Sequence, residues 1–263
     1  MQLIDVGVII QQRSGKELPQ WILSLLRKLI HEQEINCLIT NGQGLQPQPF
    51  LHHVFQSLDI TYRVHGHLPH NDEQYIFVAN HPFGGLDGMI LADILLQRYT
   101  DVGIVANDLL MNIEPLRSLW IPINKFGRQN SYCLDIYDHA ISSTTKQILT
   151  FPAGICSRWI NGKVRDMKWH NRFIKDAMYS RRQIIPIYIA GTLSTRFYMI
   201  YRLRRLLGIN TNIELILLAD ELFRQKGQTI DVFLGHPIDI SHIEGSIATK
   251  CKFVRQKVYE FAK

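Results

Sequence analysis

The stretch YIFVANHPFGGLDGMILADILL, residues 75–96, decides the fold. Its first five residues, Tyr75 to Ala79, are apolar without alternation, the pattern of a strand buried on both faces. Asn80-His81-Pro82-Phe83-Gly84-Gly85-Leu86 follows as a loop, and a helix is predicted to begin near Asp87. In open α/β sheets, ligands sit at the carboxyl ends of the strands, which is where this loop places His81. Asp87 falls at a helix start, where a carboxylate is favoured. Gly84 and Gly85 let the loop fold back, so that the carboxylate can reach the imidazole.

A His beside an Asp is the general-base half of a catalytic triad. The carboxylate fixes the tautomer, and the other ring nitrogen removes a proton. The segment holds no serine to serve as a protein nucleophile, so the proton would come from the substrate itself. An acceptor hydroxyl attacking a thioester fits that arrangement. Without further context, a structural His in a loop and an Asp capping a helix explain the pair equally well.

Outward from this segment, short apolar or β-branched runs alternate with helical stretches. Strands are predicted over residues 60–64, 75–79, 103–106, 121–123, 147–151, 184–189, 213–218 and 229–234. The fold class that follows is α/β, a mostly parallel sheet flanked by helices. Pro186, inside IIPIYIA, lacks a ladder donor and points to a strand start, an edge or a bulge. Before the sheet, residues 18–34 carry Trp21, Ile22, Leu25, Leu26, Leu29 and Ile30 at helical spacing, and a second helix is predicted over 48–57. The organisation expected is an N-terminal helical pair over residues 1–58 and an α/β domain over 59–263, packed as one compact unit.

The 263 residues are 46% hydrophobic and 20% charged, which excludes a disordered chain. A net charge of +6 suits an anionic partner: nucleic acid, an anionic membrane surface or an acidic carrier protein. No RNA-binding signature or helix-turn-helix pattern is present, so nucleic acid is the poorest of the three. The four cysteines are scattered without metal-ligand spacing, and the histidines at 52, 53, 65, 67 and 70 form no HExxH, so no metal is expected. No signal peptide and no spanning run are expected, so lipid would be met from the side. Residues 196–208 mix Arg196, Arg202, Arg204 and Arg205 with Phe197, Tyr198, Tyr201, Leu206 and Leu207. That mixture fits a helix lying in a membrane interface through Arg202, Arg204 and Arg205, and fits an ordinary surface helix equally well. Cys156 has no His near it in sequence and is not read as a nucleophile.

Four ordered motifs add to this. NHPFGGLD, IPINKFGRQNS, FPAGICSR and IIPIYIAG resemble, in order, the four motifs of the glycerophospholipid acyltransferase superfamily. The first has five residues between His81 and Asp87 where the commonest form has four, and it is similar to a bacterial hemolysin-like or ornithine-lipid-like branch. The resemblance covers nearly the whole chain. It implies acyl transfer with His81 and Asp87 as the catalytic pair, and Lys125, Arg128 and Arg158 at the acceptor headgroup. Gly154, just after a strand, is a candidate to aim backbone N–H groups at a thioester oxyanion, with Gly84 and Gly85 of the first loop beside it; a simple strand-to-loop turn is the alternative at Gly154. It implies no bound cofactor, with an acyl carrier protein or CoA thioester as co-substrate, a lipid acceptor, and a peripheral place on the cytoplasmic face of the inner membrane. The third motif departs from the family: Ala153 stands where the family has Glu, and the basic residue moves to Arg158. That argues for a carboxylate headgroup, an N-acylated glycine or ornithine bearing a 3-hydroxyl, over a lysophosphatidate or other lysophospholipid. A non-catalytic peripheral lipid-binding protein is the alternative from another class.

Overall fold

A computed structural model describes residues 3–15, 17–70, 73–123, 131–160, 162–209 and 212–262. Four helices precede the sheet: α1 (Val6–Ser14), α2 (Gln20–Leu29), α3 (Glu32–Asn41) and α4 (Pro47–Ser57). The expected pair is therefore a set of four. The stretch predicted as one helix over 18–34 breaks at His31, which turns left-handed at φ 54° and starts α3. The helix before it, α1, opens on the Asp5 carboxylate, which accepts from the N–H groups of Gly7 and Val8.

The remaining elements are β1 (Thr61–His65), β2 (Tyr75–Ala79), α5 (Gly85–Leu96), β3 (Val102–Asn107), β4 (Trp120–Ile123), α6 (Ser131–Ser142), β5 (Gln147–Thr150), β6 (Arg158–Ile160), β7 (Lys163–Arg165), α7 (Arg172–Ser180), β8 (Gln183–Ile189), α8 (Thr195–Leu206), α9 (Leu218–Phe223), β9 (Thr229–Leu234) and α10 (Ile247–Tyr259). Seven strands form one sheet in the order β1-β9-β8-β2-β5-β3-β4, parallel throughout except where β9 meets β8. The other two, β6 and β7, make a separate antiparallel hairpin that the sequence reading did not anticipate.

The core follows from the two-residue period of the strands. Along β2, Tyr75, Phe77 and Ala79 pack on one side of the sheet with Phe50, Leu51, Val54 and Phe55 of α4 and Leu86, Ile90 and Leu91 of α5. Ile76 and Val78 point to the opposite side, against Ile174 and Ala177 of α7 and Val254 and Val258 of α10. With both faces covered, β2 has no water-facing side, which is why its sequence does not alternate.

Two readings change. The run 213–218 is one tight turn (Ile213–Leu217) that leads into α9. An apolar run of six does not distinguish strand from helix, and here Glu214 must face inward to meet two arginines. Pro186 lies inside β8, opposite Val78. On the β9 side, the pairs Ile187–Leu234 to Ile189–Val232 and the bridge Ile184–Ile238 are out of register by one residue, and Pro186 sits within that break. A bulge, not an edge, accommodates its missing N–H.

Candidate active site

The carboxyl ends of β2, β5 and β8 lie side by side in the middle of the sheet. Asn80 ties two of them: its amide donates to Ile189 O at 2.9 Å and its carbonyl oxygen accepts from Ile189 N–H at 2.7 Å. His81 follows directly. Its Nδ1 lies 2.9 Å from Asp87 Oδ2, although the N–H direction is not well aligned for a full hydrogen bond. The same oxygen accepts the N–H groups of Phe83 and Gly84 at 2.8 and 2.9 Å, so the loop is wrapped around this carboxylate. Burial pushes the Asp87 carboxyl above the usual range, while His81 and the two amides act against that rise. Nε2 of His81 has no hydrogen-bond partner among the described residues. The imidazole stacks on Phe151 with ring centroids 4.3 Å apart.

The loop geometry depends on glycine at two points. Gly84 has φ 77°, and Leu218 stands against the position its Cβ would take. Gly191, just beyond β8, leaves room for the Phe83 ring: a Cβ there would lie 2.0 Å from it.

A second buried carboxylate holds the His81 backbone. Asp166 Oδ1 accepts the His81 N–H at 3.2 Å and the Ser157 hydroxyl at 2.6 Å, and Oδ2 accepts Trp169 Nε1–H at 2.8 Å. The Ser157 N–H donates to His81 O at 2.7 Å. The motifs around His81 and Ser157 are thereby locked to each other and to the segment after the hairpin. Sequence reasoning missed Asp166: it lies 85 residues from His81 and belongs to none of the four motifs.

The other expected residues divide. Lys125 and Arg128 lie outside the described residues. Arg158 requires a correction, because it is wholly buried. Its Nη2 pairs with Glu214 at 2.9 Å, Nη1 donates to Cys156 O and Ser157 O, and the guanidinium lies over the Phe197 and Tyr201 rings. A charge so placed braces the loop from within and is not presented to a headgroup. Arg204 is corrected for the same reason. It is buried, pairs with Glu214 at 2.8 Å and donates to Ile209 O and Asn212, so it faces away from any membrane; Arg202 and Arg205 are exposed. Two of the oxyanion candidates also change, since Gly84 N–H is committed to Asp87 and Gly154 N–H to Phe151 O. Gly85 opens α5, where N–H groups lack intrahelical acceptors. Ala153 is buried in the core, and burial raises the Cys156 thiol, which suits an inert packing residue.

An imidazole backed by a buried carboxylate, at the carboxyl ends of parallel strands, is an arrangement able to accept and return a proton. The chain belongs to the acyltransferase family, whose model matches residues 11–263. It is similar to the lyso-glycine lipid O-acyltransferase of Bacteroides thetaiotaomicron, at 35% identity over 98% of this chain and 97% of that one. A second lyso-glycine lipid O-acyltransferase, from Phocaeicola vulgatus, is 32% identical over 98% of this chain and 95% of its own. Among solved structures, the 1-acyl-sn-glycerophosphate acyltransferase of Thermotoga maritima is 17% identical with a TM-score of 0.47, over 97% of this chain and 86% of that one. The protein is an O-acyltransferase acting in lipid metabolism, with a lipid acceptor and an acyl donor.

Proposed function

We propose that this enzyme transfers a fatty acyl group from a thioester to the 3-hydroxyl of an N-acylated glycine. The observation that carries the chemistry is His81 Nδ1 held 2.9 Å from the buried Asp87 carboxylate, with Nε2 left without a partner among the described residues. In this reading Nε2 takes the acceptor hydroxyl proton as its oxygen attacks the thioester carbonyl carbon. The tetrahedral intermediate then collapses, the C–S bond breaks, and the proton returns from His81 to the departing thiolate. Asp87 keeps the remaining proton on Nδ1 and offsets the imidazolium charge. These steps draw on no metal and no bound cofactor.

The glycine lipid acceptor is supported by the names of the two relatives and by Ala153 in place of the family's Glu. A carboxylate headgroup needs fewer donors than a phosphate monoester. With Arg158 turned inward, Arg128 and Lys125 are the residues left to meet it. The donor is an acyl carrier protein or CoA thioester. No helix among the described residues is long and apolar enough to cross a membrane. The outer side of α8 exposes Met199, Leu203 and Leu206 beside Arg202 and Arg205, and Leu207 follows it. That surface supports peripheral attachment to an anionic bilayer, at the cytoplasmic face of the inner membrane, where the lipid acceptor is met.

The test offers pure enzyme and a long-chain acyl thioester either an N-(3-hydroxyacyl)glycine or lysophosphatidate at matched concentration. We expect kcat/KM for the glycine lipid to exceed that for lysophosphatidate by about tenfold or more. A preference for lysophosphatidate overturns the acceptor assignment and leaves the acyl-transfer chemistry standing.

A further inference from the structure

Beside His81 lies a surface whose charge is nearly all of one sign. Residues 158–170, which form the β6–β7 hairpin and the loop after it, contain one carboxylate, Asp166, and it is buried under His81. The same stretch exposes Lys163, Arg165 and Lys168. Residues 247–259, the α10 helix, contain no Asp or Glu. Lys250 of α10 is buried on Ile240 O, and Lys257 pairs with Glu260. Lys252 is left facing outward, and Arg255, three residues on along the same helix face, is half-buried. The hairpin and the helix meet at Tyr259, where Arg165 lies 5.8 Å and Arg255 5.7 Å from the ring centroid. The Asp166 N–H donates to the Tyr259 hydroxyl oxygen, and Arg255 Nη2 to Asp166 O. Lys163, Arg165, Lys168, Lys252 and Arg255 form no ion pair with a described residue. Arg165 and Arg255 thus tie this surface, through Tyr259 and the Asp166 backbone, to the residue that grips the His81 backbone.

We infer that this surface, formed by the β6–β7 hairpin and α10, is the docking site for a small acidic carrier protein that delivers the acyl thioester; the inference rests on the acyl-transfer reading of His81. Like charges without local counter-ions steer an oppositely charged macromolecule and set its orientation. A bilayer is a poorer match here. Interfacial binding combines cations with exposed apolar side chains, as on α8, whereas Trp159 is the single large apolar residue exposed in residues 150–170 and α10 exposes none. The cations are spread over a hairpin and about one turn of a helix, a footprint for a folded partner and not for one nucleotide phosphate.

Full-length enzyme is titrated with acyl carrier protein loaded with a palmitoyl group, without acceptor lipid, and its KM for that donor and for palmitoyl-CoA is then measured. The double variant Arg165→Glu with Lys168→Glu is expected to weaken carrier binding about tenfold or more and to raise KM for the carrier-borne donor with kcat held. Wild-type carrier affinity should fall as salt rises from about 50 to about 300 mM, and the variant's should fall less. Lys163→Glu with Lys252→Glu repeats the test at separate exposed positions. Unchanged carrier affinity in both variants, an equal loss with palmitoyl-CoA, or a loss of anionic-vesicle binding with carrier binding intact each overturns the proposal. Because binding is read without acceptor, a wrong acceptor assignment leaves this result untouched.

Discussion

At His81 the structure puts one imidazole nitrogen against a buried acid and leaves the other without a partner among the described residues. His81→Ala should lower the transfer rate by about 10²–10⁴-fold, the usual contribution of a positioned general base, while thermal unfolding stays near wild type. Asp87→Asn should lose most activity as well, because the amide cannot hold the tautomer that leaves Nε2 basic. An alanine variant with near-wild-type turnover would remove His81 from the chemistry. Gly191 gives a second residue-scale prediction. A methyl group there would meet Phe83, whose N–H bonds Asp87. Gly191→Ala should therefore displace the loop and reduce kcat, with the larger Gly191→Val worse; equal kcat in all three proteins would refute the packing argument. The His–Asp pair was legible in the sequence because one short loop separates His81 from Asp87 in the first turn of α5. Asp166 was not, because nothing local distinguishes a carboxylate that will reach a backbone amide 85 residues away.

At the scale of elements, α8 is held from within by Glu214, which joins Arg204 of the helix to Arg158 of the hairpin. Removing one member of a buried ionic cluster leaves the rest uncompensated and typically costs about 3–5 kcal/mol. Glu214→Ala should therefore lower the thermal midpoint markedly, whereas Arg202→Gln with Arg205→Gln, both exposed, should not. The second variant should instead reduce partition onto anionic vesicles, since each basic residue near such a surface contributes about 1 kcal/mol. Equal binding of wild type and this variant to anionic vesicles would exclude the electrostatic attachment. The sequence showed a basic, aromatic helix here, but which arginine faces inward depended on the position of Glu214, a residue the pattern had assigned to a strand.

For the molecule as a whole, the N-terminal helices are fastened to the body at His31. Its ring stacks on Phe223 at 4.4 Å, and its Nε2 lies 3.1 Å from Asp220, which also accepts from Arg224 and Arg196. Burial pushes the Asp220 carboxyl up, but the bonds from Arg224 and His31 outweigh this and hold it below its ordinary value. A depressed carboxylate contributes stability above the unfolded value of about 3.9 and loses it as pH falls through the folded value. The thermal midpoint of Asp220→Asn should lie below wild type at neutral pH, and the gap should narrow on acidification through pH 4. A gap that stays constant or widens would show that Asp220 acts by packing alone. Here the sequence expected one helix running through residue 31, because an amphipathic stripe continues smoothly across a break that only the tertiary contacts of His31 require.

By itself the sequence determined the class of fold, most of the strand positions, and the pairing of His81 with Asp87. Each of these is set by local physics: burial on two faces suppresses alternation in β2, and a short glycine-containing loop limits where Asp87 can reach. Tertiary structure alone decided the four-helix N-terminus, the hairpin, the inward turn of Arg158 and Arg204, and the grip of Asp166 on His81. Those outcomes depend on which charges are buried together. A buried charge is stable only beside its partner, and the partner is chosen by contacts between segments far apart in the chain.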